Sequence, residues 1–230
     1  MVTLRTLLVA VALVAVPGMA HAQTGGIQVA PVLVSLSPDH TIGSVRLRNS
    51  RARPVAFEVE AFAWSQVNGE DQLTPTDQLI VAPGVFEIPA HGEQTIRLGA
   101  RGVTSDSEHA YRIVLRELPS EQQHGVALGF SLEMSLPVFV TPAGAQANIT
   151  SHTEDGRLIL TNTGASFAQI SLLQSQQRLP SPRYLLAGSS AQIELPAQAS
   201  GLQLIATTAN GQHSERTINV GRPDQHASVR

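Results

Sequence analysis

Beyond residue 22 the chain carries histidines at His40, His91, His109, His124, His152, His213 and His226. None lies two to four residues from another, so the spacing that places two imidazoles on one zinc ion is absent. There is no Gly-x-Ser-x-Gly nucleophile turn, no phosphate-binding glycine loop and no His-Glu-x-x-His. Glu58 and Glu60 alternate with Phe57, Val59 and Ala61, the pattern of a solvated strand face rather than of a paired acid and base. Asn68-Gly69-Glu70-Asp71 follows Trp64 as a hairpin loop would, and it offers too few oxygen ligands for calcium. Arg112 and Arg116 stand four apart, so a strand puts both guanidinium groups on one face, with Ile113 and Leu115 on the other. These residues describe no enzyme, no metal site and no cofactor site.

The most ordered pattern is apolar. In "GVALGFSLEMSLPVFV", Gly125 to Val140, Leu128, Phe130, Leu132, Met134 and Leu136 occupy every second position. A period of two gathers them on one face of a strand. The run is long, since strands usually span about 3–10 residues. Two readings follow from the pattern alone. The stripe is the last strand of an ordinary sandwich, or part of it is held for another molecule.

The elements around this run set its context. Arg5, the apolar run Leu7–Val16 and the small-residue site Ala20-His21-Ala22 have the layout of a cleavable export signal, with Gln23 as the mature N-terminus. The apolar run is shorter than the roughly 20 residues a spanning helix needs, and no later stretch is suited to crossing a bilayer. The mature chain is therefore expected to be soluble and exported. It has no cysteine, so each domain must be held by its own core. All 15 basic residues are arginine and the net charge is −3, which leaves no electrostatic footprint for nucleic acid.

After the leader the sequence reads as strands and turns. "IQVAPVLVSL" suggests a strand broken at Pro31, "SVRLRNS" and "VAFEVEAFAW" alternate, and "LIVAPGVFEIPAHGEQTIRL" holds short strands around Pro83-Gly84 and Ala90-His91-Gly92. "YRIVLREL" precedes the long run. At "TPAGAQ", Thr141 to Gln146, small and breaker residues take over. A second series follows in "GRLILTNTG", "FAQISLLQ", "RYLLAGSSAQIEL", "GLQLIATTA" and "HSERTINV". Short alternating strands with regular turns predict an all-β chain of two β-sandwiches. The expected division is a leader at 1–22, a first domain at 23–142, a second at 143–220 and a loose polar tail at 221–230.

The order of "IQVAPVLVSLSP", "VRLRNSRARPVAFEVEAFAW", "LIVAPGVFEIPAHGEQTIRL", "YRIVLRELP" and "LPVFVTP" resembles the PapD-like periplasmic chaperones of pilus assembly. "GRLILTNTGASFAQI" and "YLLAGSS" resemble that family's second domain, and "LPVFV" with the Val/Pro-rich first strand is most similar to its archaic branch. The resemblance implies two immunoglobulin-like sandwiches set at an angle around a cleft. It implies a periplasmic chaperone that lends its G1 strand to an incomplete fimbrial or pilus subunit and passes it to an outer-membrane usher. That is strand addition at an open sheet edge.

On this resemblance Leu128, Phe130 and Leu132 match the donor residues, flanked by Val126 and Met134, while Leu136, Val138 and Phe139 turn toward the chaperone's own core. The polar "SEQQHG" before them matches a flexible loop. The cationic positions of the best-known branch fall on Leu33 and Pro137, which hold no anion. Arg112 and Arg116 are the candidates to anchor a client's terminal carboxylate, against the plainer reading of strand arginines paired with Glu117 or Glu108. A client-free chaperone would cover its apolar edge by self-pairing or loop folding. A fibre subunit or adhesin is the alternative, opposed by strands that begin at Ile27 without a donor extension. A carbohydrate-binding sandwich is opposed by a single Trp and two Tyr.

Overall fold

The computed structural model describes residues 26–119, 131–175, 177–181, 183–196, 201–208, 211 and 213–218. Every regular element among them is a strand. The first group is β1 (Ile27–Ala30), β2 (Val34–Leu36), β3 (Ile42–Asn49), β4 (Val55–Val67), β5 (Glu70–Pro75), β6 (Leu79–Ala82), β7 (Val85–Ile88), β8 (Glu93–Ala100), β9 (His109–Glu117) and β10 (Glu133–Val140). They build two sheets, β1-β3-β8-β6 and β2-β10-β9-β4-β5, with β7 also paired to β4. The second group is β11 (Ile149–Glu154), β12 (Arg157–Asn162), β13 (Ala168–Gln174), β14 (Gln177–Arg178), β15 (Tyr184–Leu185), β16 (Ser190–Glu194), β17 (Leu202–Thr208) and β18 (His213–Ile218). Its sheets are β11-β12-β16 and β14-β13-β17-β18, with β15 on β13. The chain is all-β, with two immunoglobulin-like sandwiches.

Alternation explains the layering. In β3, Val45 and Leu47 are fully buried while Arg46 and Arg48 are exposed. Phe57 and Val59 of β4, Ile96 and Leu98 of β8, and Ile113 and Leu115 of β9 meet them in one core. Leu158, Leu160, Ile170, Leu172, Leu202 and Leu204 form the separate core of the second sandwich. Each such side chain taken from water contributes roughly 1.5–3 kcal/mol.

The break expected at Pro31 is a change of sheet. β1 pairs antiparallel with β3, and beyond Pro31 β2 runs parallel to β10, Val34 opposite Val138 and Leu36 opposite Val140. The loop expected at Asn68–Asp71 is tighter than four residues. Asn68 and Gly69 take φ of 54° and 82°, the pair of left-handed residues of a two-residue hairpin, and Glu70 and Asp71 already belong to β5.

Each sandwich is also pinned by one buried asparagine. Asn49 Nδ2 donates to the carbonyls of Arg53, Ile88 and Pro89, and its Oδ1 accepts the Arg51 N–H. Asn162 Nδ2 donates to the carbonyls of Ser166 and Leu185, and its Oδ1 accepts the N–H groups of Asn148 and Gly164. Both residues are fully buried at the end of their strands. Deleting either amide strands several buried backbone groups. Asn162→Ala is expected to destabilise the chain by about 3 kcal/mol in urea unfolding followed by far-ultraviolet circular dichroism. A change near zero would show that water replaces the amide.

Candidate functional site

β10 is an interior strand at one end and an edge at the other. From Val138 to Val140 it lies between β2 and β9. From Glu133 to Pro137 its only strand partner among the described residues is β9. The β9 contact continues past the strand end, where Glu117 N–H donates to the Leu132 carbonyl at 2.8 Å. Leu132 and Met134 are half-buried and share the inner face with Leu136 and Val138. Val126, Leu128 and Phe130 lie outside the described residues.

Phe139 departs from the expectation. Val138 and Val140 enter the first core, but Phe139 faces the other way, because neighbours on a strand point to opposite sides. It joins Trp64, Phe167, Tyr184 and Leu186 in a third cluster shared by the two sandwiches. The Phe139 and Phe167 rings stack at 3.7 Å, and Trp64 meets Tyr184 edge-on at 5.5 Å.

Two polar residues tie this joint. Gln66 of β4 donates through Nε2 to the Tyr184 carbonyl at 3.0 Å and accepts the Leu186 N–H at 3.0 Å through Oε1. The side-chain amide thus pairs with the second sandwich as a strand backbone would. Glu108 accepts the Phe167 N–H at 2.7 Å and the Thr141 hydroxyl at 2.8 Å. The tip of the β4–β5 hairpin also touches the second sandwich. A side chain at Gly69 would stand 3.1 Å from Ala191 Cα, on a φ already in the left-handed region.

Beside the joint opens a cleft of ≈ 160 Å³ lined by Gly69, Asp71, Arg112, Arg183 and Tyr184. Arg112 lies over the Trp64 ring with Cζ 3.8 Å from its centroid. Its Nη2 reaches Asp71 Oδ2 at 3.2 Å and its Nη1 reaches Ser135 Oγ at 3.4 Å. Burial weakens the hold of the Arg112 guanidinium on its proton, and the Asp71 carboxylate opposes that. Arg112 Nε and Trp64 Nε1 are buried with no hydrogen-bond partner among the described residues. The cleft therefore combines two cations, Arg112 and Arg183, with one carboxylate, Asp71.

Arg112 and Arg116 do share a face, as their spacing requires, but they are not in one site. Arg116 sits on the outer surface between Glu60 and Glu133, whose hydrogen bonds raise its affinity for its proton. Neither arginine pairs with Glu117, which binds Arg51, or with Glu108. Pro137 lies opposite Arg112 in the ladder, and Leu33 packs against the shared aromatic cluster. Reading the sequence did not find Asp71, Arg183, Tyr184, Gln66 or Glu108. The lone Trp in front of an Asn-Gly turn was the available signal for the cleft wall.

Residues 26–146 match the family model described as pili and flagellar-assembly chaperone, PapD N-terminal domain. The chain belongs to this family. Comparison with curated proteins finds no match. Among solved structures, a chain of the CsuC–CsuE chaperone–tip adhesion subunit pre-assembly complex from archaic Csu pili of Acinetobacter baumannii aligns with a TM-score of 0.66 and 20% identity. It covers 84% of this chain and 98% of its own. A chain of the Salmonella enterica SafA pilin–SafB chaperone complex aligns at 0.69 and 14% identity, covering 85% and 96%. The E. coli chaperone DraB aligns at 0.67 and 16% identity, covering 86% and 97%. The family and fold are those of pilus assembly chaperones, which are not enzymes.

In this chaperone the joint between the sandwiches rests on few groups, so single changes should register. Gln66→Ala removes both of its bonds to the second sandwich. It is expected to weaken the joint by about 2 kcal/mol, read as an earlier urea transition of the single tryptophan, Trp64. An unchanged transition would show that the aromatic stack alone holds the joint.

Proposed function

We propose that this protein is a periplasmic chaperone that binds incomplete fimbrial or pilus subunits by donor-strand complementation with its G1 strand, Val126, Leu128, Phe130, Leu132 and Met134 being the donor residues. The export signal ends at Ala22, and the two sandwiches are its domains at 23–142 and 143–220. One observation carries the reading. β10 is built into the first core at its Val138–Val140 end, yet from Glu133 to Pro137 one side of it has no strand partner among the described residues. A subunit lacking its last strand would add there, gaining backbone hydrogen bonds along the edge and pockets for alternate side chains. Leu132 and Met134 are the described members of the donor set, and Val126, Leu128 and Phe130 continue the same period.

The cleft supplies the second contact. Arg112 stands opposite Pro137 on the strand beside the open edge, with Arg183 across from it and orphan donors at Arg112 Nε and Trp64 Nε1. A terminal carboxylate of the subunit would find a net positive charge, and would take over the Arg112 donors now held by Asp71 and Ser135. Arg116 is already engaged by two carboxylates, so the anchor role falls to Arg112. The chaperone then hands its subunit to an outer-membrane usher and, without a client, shields the edge by self-association.

A periplasmic pull-down with the tagged chaperone tests this. The wild type should recover a small exported subunit. A variant with Phe130→Asp and Leu132→Asp should stay folded and lose it. Arg112→Ala should retain the subunit about 100-fold more weakly, since truncating one partner of a buried charge pair costs about 2–5 kcal/mol. Unfolding of the double aspartate variant would assign the stripe to the first core. Undiminished recovery by both variants would remove the strand-lending reading.

A further inference from the structure

Glu108 is a carboxyl group placed between two bodies. It precedes β9 in the first sandwich, and its Oε2 accepts the hydroxyl of Thr141, just past β10, at 2.8 Å. Its Oε1 accepts the backbone N–H of Phe167, the residue before β13 in the second sandwich, at 2.7 Å. No cation pairs with it among the described residues. The ionisable groups near it in the chain point elsewhere. His109 Nε2 accepts the Thr104 N–H at 3.2 Å, and Arg112 is turned to Asp71. On the turn beside β2, His40 Nδ1 lies 3.5 Å from Ser37 Oγ. The second sandwich presents to it the Phe167 backbone N–H, which does not titrate at neutral pH.

A half-buried carboxylate without a cation is an unfavourable charge. The neutral acid uses the same two partners without that charge. Its Oε2–H can donate to Thr141 Oγ1, because a hydroxyl accepts as readily as it donates, while Oε1 keeps the Phe167 N–H. Protonation thus preserves the bond to Thr141 within the first sandwich and the Phe167 bond across the joint, and removes the charge.

We infer that Glu108 is a proton-operated latch between the two sandwiches, with its neutral acid as the form that holds the Thr141 and Phe167 ends together. The same joint carries Tyr184 and Arg183 to the cleft beside Arg112, so the cleft's geometry follows the latch. Burial raises the Glu108 carboxyl from 4.5 to about 7, against the opposing pull of its bonds to Thr141 and Phe167. The joined state therefore binds the proton more tightly than the parted one. Its stabilisation is complete below about 4.5 and is lost as pH rises through about 7.

The test uses the full mature chain, with Glu108→Gln as a copy of the neutral acid, Glu108→Ala as its deletion and His109→Gln as a control. Two signals are followed from pH 5.5 to 8: the Phe167 amide resonance and the urea transition of Trp64. In the wild type the Phe167 amide should titrate with a midpoint near the raised value, and the joint should be at least roughly tenfold weaker at pH 8 than at pH 5.5. Glu108→Gln should be flat in both signals and as firm as the wild type at pH 5.5. Glu108→Ala should be weak throughout, and His109→Gln should behave as the wild type. A Phe167 amide that does not titrate, or titrates in the ordinary carboxylate range, overturns the latch. So does a Glu108→Gln chain that keeps the wild-type pH dependence, or a His109→Gln chain that loses it. If either Glu108 variant fails to fold, the wild-type Phe167 titration decides.

Discussion

Phe139 turns away from the core that Val138 and Val140 complete, and its ring lies flat on Phe167 of the other sandwich. One strand therefore closes the first sandwich with one face and attaches the second with the other. This double use is possible only where both faces of β10 are buried, at its Val138–Val140 end between β2 and β9. It also fixes the rest. The aromatic cluster around Phe139 seats Trp64 and Tyr184, Trp64 carries Arg112 on its face, and Gln66 aligns its amide with the Tyr184 and Leu186 backbone. The Val138–Val140 end of β10 has strand partners on both sides, whereas among the described residues its Glu133–Pro137 end has only β9.

The cleft follows from joining two bodies at this point. Arg112 comes from β9, Asp71 from the neighbouring β5, and Arg183 and Tyr184 from the second sandwich. The first two are brought together by strand pairing through β4, the last two by the aromatic joint. A guanidinium stacked on an indole and bonded to Asp71 and Ser135 is held in orientation. Charge in the cleft is thus placed by packing, not by loops.

Much of the fold was legible because it rests on alternation. β3, β4, β9, β10 and, in the second sandwich, β12, β13, β16 and β17 carry apolar residues at every second position, and Pro31, Asn68-Gly69 and the 141–146 stretch mark where the chain turns. β5 was not legible, since "EDQLTP" is exposed at every position and shows no apolar alternation. The face of Phe139 was not legible either. In "LPVFV" every residue is buried, so periodicity carries no sign of which side is which. The joint lay further out of reach. Gln66 and Tyr184 are distant in sequence, and polar residues that bond a partner's backbone leave no local pattern. Arg112 was found by type and spacing, but its partner Asp71 and its neighbour Arg183 emerge only from the folded chain.

The exposed β5 strand has a meaning of its own. A sheet that ends in unpaired backbone invites any other chain to extend it, and a protein that lends one edge, as proposed above, cannot leave others equally inviting. β5 presents Glu70 and Asp71 at its start and Pro75, which has no N–H, at its end. β1 and β6 are four residues long, and each is followed by a proline, Pro31 and Pro83. On β18, Arg216 donates to the Ile149 carbonyl and to Ser151 Oγ, bridging to the facing sheet. Acid, brevity, proline and a side-chain bridge thus make these borders poor templates. Growth by strand pairing is discouraged at these borders, and on the proposed strand-lending role it would be left to the Glu133–Pro137 edge, the difference between a carrier and a seed of aggregation.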